Sequence, residues 1–266
     1  TTIARFLMQE GLKPENLIMF DSKGALHKDR SDVSSNPTKY KQWELARISN
    51  PQCLNTMDEA MRGADLLIAL STPGPDTIKA QWISLMNPKS IVFCCANPVP
   101  EIYPYDAKAA GAYIVATGRG DFPNQVNNSC GFPGILKGAL MVRARKITDN
   151  MAIAAAHSLA AFARGRGISP DNILATMDET EVFAHEAADV AAQAVADGVA
   201  RIILSREEVF QRALCEINET RTLVQNMMDQ GFIKAPPAQM INEVMQHCLQ
   251  KRSEEHTSEL QSHHPI

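Results

Sequence analysis

The stretch of sequence that decides the fold is SIVFCCANP, at residues 90–98. Its apolar residues run without interruption from Ile91 to Cys95, and Asn97 and Pro98 then end the run. A short continuous apolar run with β-branched and aromatic residues predicts a strand that is buried on both faces. Because a proline disfavours the helical conformation in the residue before it, we expect Asn97 to be extended just beyond the strand.

Three more apolar runs of this kind lie at residues 17–21, 65–70 and 112–117. The segments between and before them have apolar residues at helical spacing, which predicts helices at residues 1–10, 39–48, 56–63, 76–86 and 104–111. Short strands that alternate with helices predict a parallel sheet with helices on both faces. Such sheets bind ligands beyond the carboxyl ends of the strands, where this chain has Asp21, the turn from Ser71 to Gly74, Asn97, and Thr117 with Gly118.

Beyond residue 130 the pattern is helical, with helices predicted at residues 131–145, 148–165, 185–203, 205–230 and 236–250. The fold class is therefore predicted to be α/β, a Rossmann-like, doubly wound and mostly parallel sheet followed by C-terminal helices. We expect a Rossmann-like domain at residues 1–145 and a helical segment at 146–251 that completes it. Residues 252–262, RSEEHTSELQS, resemble the translation of a common sequencing adapter. We therefore expect 252–266 to be a non-native read-through tail, with a genuine disordered tail as the alternative.

The composition excludes several classes of protein. The chain has 266 residues, of which 45% are hydrophobic and 21% charged, and this is enough apolar material for a sizeable core. Its net charge of −4 gives no basic surplus for nucleic acid, and no apolar run is long enough to cross a membrane. None of the six cysteines forms a C-x-x-C pair, so we expect free thiols in a reducing compartment and a cytoplasmic location.

Two sets of residues are candidates for binding. Asp21 ends a predicted strand, and an acid there can accept hydrogen bonds from the ribose of a dinucleotide; a turn cap is the alternative. Lys23, Lys28 and Arg30 are near enough in sequence to contact a 2′-phosphate, or they are solvated loop charges. The second set is the run ATGRGDFPNQVNNSCGFPG at 116–134, which has four amides within five positions.

Such a cluster of amides adds nothing to an apolar core, because each buried amide without a partner costs roughly 1–3 kcal/mol. Amides both donate and accept hydrogen bonds without exchanging protons, so they suit the orientation of a carboxylate or hydroxyl. The alternative is a tightly paired turn that satisfies them internally. The same two possibilities apply to Asn97 at the end of its strand.

The run at 116–134 resembles the cofactor-binding domain of malic enzymes, together with CCANPVPEIYP before it and GALMVRARKIT after it. MFDSKG at 19–24 and ALSTPG at 69–74 match the same family in order and spacing. The resemblance covers residues 1–205 closely and residues 206–251 more loosely. Malic enzymes oxidatively decarboxylate malate to pyruvate and CO₂ with NAD or NADP and with Mg²⁺ or Mn²⁺. The resemblance therefore implies a malate-decarboxylating oxidoreductase.

The resemblance also implies roles for particular residues. Cofactor binding falls on Asp21, Ser71, Asn97 and Asn127, and substrate binding falls on Asn97, Asn127 and Asn128, with Asn128 favoured for malate itself. No catalytic residue and no metal ligand is assigned in this chain. In the family the Gly-rich loop, the catalytic Tyr and Lys and the metal-binding acids precede the matched segment. We therefore expect an N-terminally truncated fragment that is inactive alone, from a parent enzyme that is a homo-oligomer.

Two other interpretations stay open. In the first, the chain is a non-catalytic nucleotide-binding or regulatory module. In the second, it is part of another NAD(P)-dependent α/β dehydrogenase. The choice between NAD and NADP is also open, because Asp21 repels a 2′-phosphate while Lys23 and Lys28 oppose that repulsion. In each interpretation the expected partner is a small molecule, and neither nucleic acid nor a membrane is expected.

Overall fold

The computed structural model describes residues 1–234 and 237–262, with side chains up to residue 250. Contacts divide the chain into two compact units, Thr1–Leu214 and Cys215–Ile266. The strands are β1 (Phe20–Asp21), β2 (Gly24–Ala25), β3 (Leu66–Ala69), β4 (Ile91–Cys94) and β5 (Ile114–Thr117). The α-helices are α1 (Thr2–Gln9), α2 (Ser31–Ser34), α3 (Tyr40–Ala46), α4 (Met57–Met61), α5 (Ala80–Ile83), α6 (Pro104–Ala109), α7 (Phe132–Met141), α8 (Asp149–Arg166), α9 (Glu181–Ala196), α10 (Arg206–Asp229) and α11 (Ala238–Ser262).

A parallel sheet of three strands in the order β3-β4-β5 forms the centre of the first unit. The apolar run at 90–98 forms a strand, as predicted, and this strand lies in the middle of the sheet. Val92 on β4 and Val115 on β5 are buried, and they pack with Ile83 of α5, Met61 of α4 and Ala107 of α6. The prediction of an α/β class with a parallel sheet is confirmed. The physical reason is that the apolar runs are short enough to be strands and that helices connect them.

The strand predicted at residues 17–21 was expected to join the parallel sheet, and this expectation is wrong. Phe20 and Asp21 pair antiparallel with Ala25 and Gly24 in a separate hairpin, so this segment does not join the parallel sheet. The reason is local: Gly24 has a φ of +115°, a conformation that glycine adopts without steric cost, and the chain reverses directly after Asp21. The Asp21 carboxylate also accepts a hydrogen bond from the Lys23 amide, which stabilises the turn.

The predicted helix at 76–86 is confirmed only over α5. Asp76 has a φ of +72°, outside the helical region, and the Ile78 amide donates a hydrogen bond to the Glu101 carbonyl oxygen. These backbone contacts hold the chain out of a helix until Lys79, the N-cap of α5. A sequence pattern carries no information about such a distant backbone partner.

Helices complete the first unit and make up the second. α7 and α8 both pack against α9, which buries Ala184, Ala187, Ala188, Ala191 and Ala194. None of the described helices is long and apolar enough to cross a membrane. α11 continues to Ser262, but the side chains of 251–262 and the whole of 263–266 lie outside the described residues. The read-through tail at 252–266 and the boundaries at 145 and 251 stay predictions.

Candidate functional site

The carboxyl ends of the three parallel strands lie at the same level. Ala69 of β3 is in register with Cys94 of β4, and Cys94 is in register with Thr117 of β5. The residues that follow the strands therefore come to one edge of the sheet. We call Ser71, Asn97, Gly118, Asn127 and Asn128 the strand-end rim. Ligands bind at this edge in open α/β sheets.

Asn97 and Asn127 both contact Gly118. The Asn97 amide packs against this glycine so closely that a Cβ atom there would lie 3.0 Å from Asn97 Nδ2. Asn127 Nδ2 donates a long hydrogen bond of 3.4 Å to the Gly118 carbonyl oxygen. Asn97 itself is exposed, and the peptide bond between it and Pro98 is cis. The structure thus brings together two of the amides that the sequence proposed as ligands.

The four amides of the run at 124–128 have different surroundings. Asn124 is buried: it donates to the carbonyl oxygens of Val115 and Pro170 at 3.0 and 2.7 Å, and its Oδ1 accepts from the Ile173 amide at 2.9 Å. It therefore joins the loop to β5 and to residues 170–173, and its partners lie outside the turn, where the paired-turn alternative expected them within it. Asn128 is exposed, and its side chain makes no hydrogen bond to any described residue. Its amide is available to a ligand.

Asn127 combines both roles. Its Oδ1 accepts a hydrogen bond of 3.0 Å from the Ser129 amide and so caps a short 3₁₀ helix at Asn128–Cys130. An amide side chain has two N–H groups and two lone pairs on its oxygen, so these bonds leave it capacity for one more partner at each atom. Its turn directly precedes α7.

Glu101 is a residue of this site that the sequence did not identify. It is fully buried, and its Oε1 accepts hydrogen bonds from the Ser71 amide at 2.7 Å and the Ser71 hydroxyl at 3.2 Å. Its Oε2 accepts from the Ala96 amide at 3.0 Å. One carboxylate therefore joins the loop after β3 to the loop after β4. It fixes the backbone of Ala96 and so also the position of Asn97, the next residue. The available signal was an acid in the apolar run PVPEI.

Asp21 lies in a cluster of charges with Arg30, Asp32 and Lys39, which we call the Asp21 cluster. Arg30 Nη2 lies 3.2 Å from both Asp21 oxygens, and Arg30 Nε donates to Asp32 Oδ1 at 2.7 Å. Lys39 Nζ is 3.7 Å from Asp21 Oδ2. The hydrogen bonds to Asp32 raise the pKa of Arg30, and the guanidinium lowers the pKa of Asp32 below its usual range.

The two lysines that the sequence suggested as contacts of a 2′-phosphate differ in their position relative to this cluster. Lys23 Nζ lies 3.5 Å from Asp32 Oδ2, and Lys28 is exposed. Lys39 was missed because it is 18 residues away from Asp21 along the sequence. With Lys23 included, two acids and three cations leave a local charge near +1, so a 2′-phosphate is repelled less here than it would be beside an isolated aspartate.

A buried acid of α9 lies against the beginning of α7, the helix that follows the amide turn. Glu186 of α9 is fully buried, and no hydrogen bond to its carboxyl oxygens is found among the described residues. It lies against Gly131 and Gly134 at the N-terminal end of α7. Burial raises the pKa of Glu186 to about 8.

Residues 1–196 match the family profile described as "Malic enzyme, NAD binding domain". The chain belongs to the malic enzyme family. The fold agrees, because the crystal structure of Entamoeba histolytica malic enzyme superposes with a TM-score of 0.90 at 56% identity. That comparison covers 93% of this chain and 51% of the Entamoeba chain.

Malic enzymes from bacteria are also similar. The bifunctional malic/malolactic enzyme of Bacillus subtilis is 37% identical over 211 residues, which is 79% of this chain and 50% of that protein. The NADP-dependent malic enzyme of Halomonas elongata is 36% identical over 212 residues, 74% of this chain and 48% of that protein. The chain therefore spans about half the length of these malic enzymes.

The chain's residues fit a nicotinamide dinucleotide better than they fit the family's metal. The strand-end rim offers amide donors and acceptors at the edge where such sheets bind dinucleotides. Among the described residues, the group with metal-ligand potential is His27, Asp29 and Cys53. Mg²⁺ and Mn²⁺ favour carboxylate, carbonyl and water ligands over imidazole and thiolate, so this group does not suit them.

Proposed function

We propose that this chain is the cofactor-binding part of an NAD(P)-dependent dehydrogenase that converts malate to pyruvate and CO₂. The observation that carries the proposal is the meeting of Asn97 and Asn127 at Gly118, beyond the carboxyl ends of β4 and β5. Two neutral amides at this edge orient a nicotinamide ring and a dicarboxylate by hydrogen bonds and take no part in the hydride transfer itself. When bound, the cofactor supplies the hydride acceptor.

Asp21 binds the adenosine ribose in this proposal. Beside the bonds that it accepts from Arg30 and the Lys23 amide, its carboxylate keeps one lone pair, on Oδ2, for a ribose hydroxyl. Ser71 lies on the loop that Glu101 fixes, so its backbone presents a rigid wall to the cofactor. Rigid positioning of this kind lowers the entropic cost of binding.

Asn128 binds malate itself. It is the exposed amide of the run, it makes no hydrogen bond to a described residue, and its neighbour Asn127 fixes the turn that presents it. Its N–H group donates to a substrate carboxylate, while Asn97 orients the substrate and the nicotinamide relative to each other. Neither amide titrates, so both orient the reactants and leave proton transfer to other groups.

We further propose that the catalytic Tyr and Lys and the acids that bind Mg²⁺ or Mn²⁺ belong to the part of the malic enzyme length that this chain does not span. The roughly half-length coverage of its relatives supports this division. The intact enzyme is proposed to be a homo-oligomer in the cytoplasm. The free state of Cys53, Cys94, Cys95, Cys130, Cys215 and Cys248 supports a reducing compartment.

Cofactor binding tests the first half of the proposal. Isothermal titration of the chain with NAD⁺ and with NADP⁺ is expected to give weak binding, and Asp21→Asn is expected to reduce the binding of NAD⁺ about tenfold, because the adenosine ribose loses a charged acceptor. Asp58→Asn is the matched control, since Asp58 is an exposed acid on α4. Equal loss in both variants, or no binding of either nucleotide, contradicts the proposal.

Turnover tests the second half. The chain alone, supplied with malate, Mn²⁺ and NAD⁺ or NADP⁺, is expected to produce no pyruvate. The full-length parent enzyme is expected to produce pyruvate, and Asn128→Ala in that enzyme is expected to raise the KM for malate while the Kd for the cofactor stays the same. Sustained pyruvate formation by the chain alone would refute the division of catalytic residues.

A further inference from the structure

His27, Asp29 and Cys53 bring three kinds of metal-ligating atom together outside the strand-end rim. An imidazole nitrogen of His27, a carboxylate oxygen of Asp29 and Cys53 Sγ all lie within 4.8 Å of one another. Asp29 Oδ2 is 3.9 Å from His27 Nδ1 and 3.3 Å from Cys53 Sγ. The ligand bonds of a tetrahedral zinc site place such atoms roughly 3.3–3.6 Å apart. Rotation of the Asp29 and Cys53 side chains, of which Asp29 is exposed, would complete this geometry.

The imidazole already has the tautomer that a metal requires. Asn55 Nδ2 donates to the Cys53 carbonyl oxygen at 2.9 Å, which turns Asn55 Oδ1 toward His27 Nε2 at 3.0 Å. Nε2 therefore carries the proton, and the lone pair is on Nδ1. A metal-binding histidine is typically oriented by a hydrogen bond of this kind at its other nitrogen.

The segment that carries the thiol is fixed relative to the histidine. Asn50 is buried and donates to the carbonyl oxygens of Leu26 and Leu54, at 3.3 and 2.9 Å, while its Oδ1 accepts from the Leu54 amide. Leu26 directly precedes His27, and Cys53 directly precedes Leu54. The side chain of Asn50 thus links the two segments from which the ligands come. A preorganised set of ligands loses little entropy when an ion binds.

We propose that His27, Asp29 and Cys53 form a site for a divalent cation of the zinc class, with water as a fourth ligand. Binding forms a bond from the Cys53 sulfur to the cation, and the thiol proton that now points to Asp29 Oδ2 is released to solvent. The weak 3.3 Å hydrogen bond from the Asp29 amide to Nδ1 gives way to the ion. Thiolate and imidazole favour zinc or cobalt over magnesium, so this site differs in chemistry from the one that malic enzymes use for Mg²⁺ or Mn²⁺. It does not depend on the proposed function.

Cobalt(II) is the probe that tests the site in the full chain. Titration with Co²⁺ is expected to produce tetrahedral d–d absorption together with a sulfur-to-cobalt charge-transfer band in the near ultraviolet. Zn²⁺ is expected to displace the cobalt and abolish both signals, and excess Mg²⁺ is expected to leave them unchanged. Absence of the charge-transfer band in the wild-type chain overturns the proposal.

Variants assign the band to these residues. Cys53→Ser is expected to remove the charge-transfer band, and Asp29→Asn to weaken the Kd for Co²⁺ about tenfold or more. Cys215→Ser is the matched control, because the exposed Cys215 thiol also donates to a carboxylate, that of Glu219 at 3.2 Å. Cys248→Ser controls for the other exposed thiol. Circular dichroism checks that each variant is folded, and a band that survives Cys53→Ser or disappears in either control contradicts the site.

Discussion

The carboxyl group of Glu186 occupies the space in which a side chain at Gly134 would begin. A Cβ atom on Gly134 would lie 2.1 Å from Glu186 Oε2 and 2.6 Å from Glu186 Cβ. Gly138, one turn later, faces the α9 backbone in the same way, since its Cβ would lie 2.4 Å from the Ala187 carbonyl oxygen. α7 and α9 therefore touch along their backbones, directly after the turn that holds Asn127 and Asn128.

Gly134→Ala is expected to destabilise the protein by about 1–3 kcal/mol, because the added methyl group displaces a buried carboxyl and separates two helices. Gly165→Ala is the matched control. Gly165 is also in a helix, but no atom lies within 4 Å of its Cβ position, so alanine is expected to be neutral or to stabilise by up to about 1 kcal/mol. Urea unfolding of both variants measures the difference, and equal effects would show that α7 and α9 are not closely packed.

The stability of the protein is expected to fall as the pH rises from about 4.5 to about 8. The pKa of Glu186 is about 8 in the folded chain against an ordinary 4.5, so over this range the folded state keeps a proton that the unfolded state loses. Below pH 4.5 both states are protonated, and above pH 8 both are ionised.

Glu186→Gln isolates this contribution. The amide carries no charge at any pH, so the variant is expected to gain stability over the wild type as the pH rises from 4.5 to 8, with no further gain above that range. The free energy of unfolding of both proteins, measured at intervals from pH 4.5 to 9, checks the prediction. If the free energies of unfolding of the two proteins changed in parallel with pH, the Glu186 carboxyl would not be protonated in the folded core.

Glu101→Gln is expected to lower stability by about 2–3 kcal/mol. Glutamine replaces one accepting oxygen with an N–H₂ group, which then faces a backbone N–H of Ser71 or Ala96 and leaves that donor without a partner. Glu44→Gln is the control, since Glu44 is exposed on α3 and its change is expected to stay within about 0.5 kcal/mol. Chemical denaturation measures the free energy of unfolding of both variants. Similar small effects of the two substitutions would show that the Glu101 carboxylate does not hold the two loops together.

Lys39→Ala is expected to weaken binding of NADP⁺ about three- to tenfold and to leave binding of NAD⁺ nearly unchanged. Lys39 lies 3.7 Å from Asp21, beside the expected position of the ribose 2′-oxygen, so it interacts with an added phosphate. Lys41→Ala is the control, because Lys41 is exposed and lies in α3, the helix of which Lys39 is the N-cap. Calorimetric Kd values for the two nucleotides test the prediction, and parallel losses for both nucleotides would contradict it.

Alkylation is expected to separate the cysteines by burial. Burial raises the pKa of Cys94 to about 12, so almost none of it is thiolate at neutral pH, and the side chain is also inaccessible. Cys248 is exposed. With iodoacetamide and peptide mapping, Cys94 is expected to react slower than Cys248 by on the order of a hundredfold, and in denaturant the rates are expected to become similar. Comparable rates in the folded chain would contradict a buried β4.

The sequence by itself determined the parts of this protein that depend on local pattern. The apolar run at 90–98 predicted β4, and the runs at 65–70 and 112–117 predicted β3 and β5, because a strand buried on both faces needs uninterrupted apolar residues. The order of these strands and helices predicted the α/β class and the edge of the sheet at which Asn97 lies. The run of amides pointed to the malic enzyme family, which the comparisons confirmed.

Only the tertiary structure decided which polar side chains are partners. Asn124 and Asn128 are similar in sequence context, yet one is buried among distant carbonyl oxygens and the other is exposed. Glu101 accepts from Ser71, which is 30 residues away, and the sequence pattern contains no record of that distance. The hairpin at Asp21 likewise formed where a parallel strand was predicted. Local patterns fix backbone conformation over a few residues, whereas the burial and hydrogen bonding of a side chain depend on elements that meet only when the chain folds.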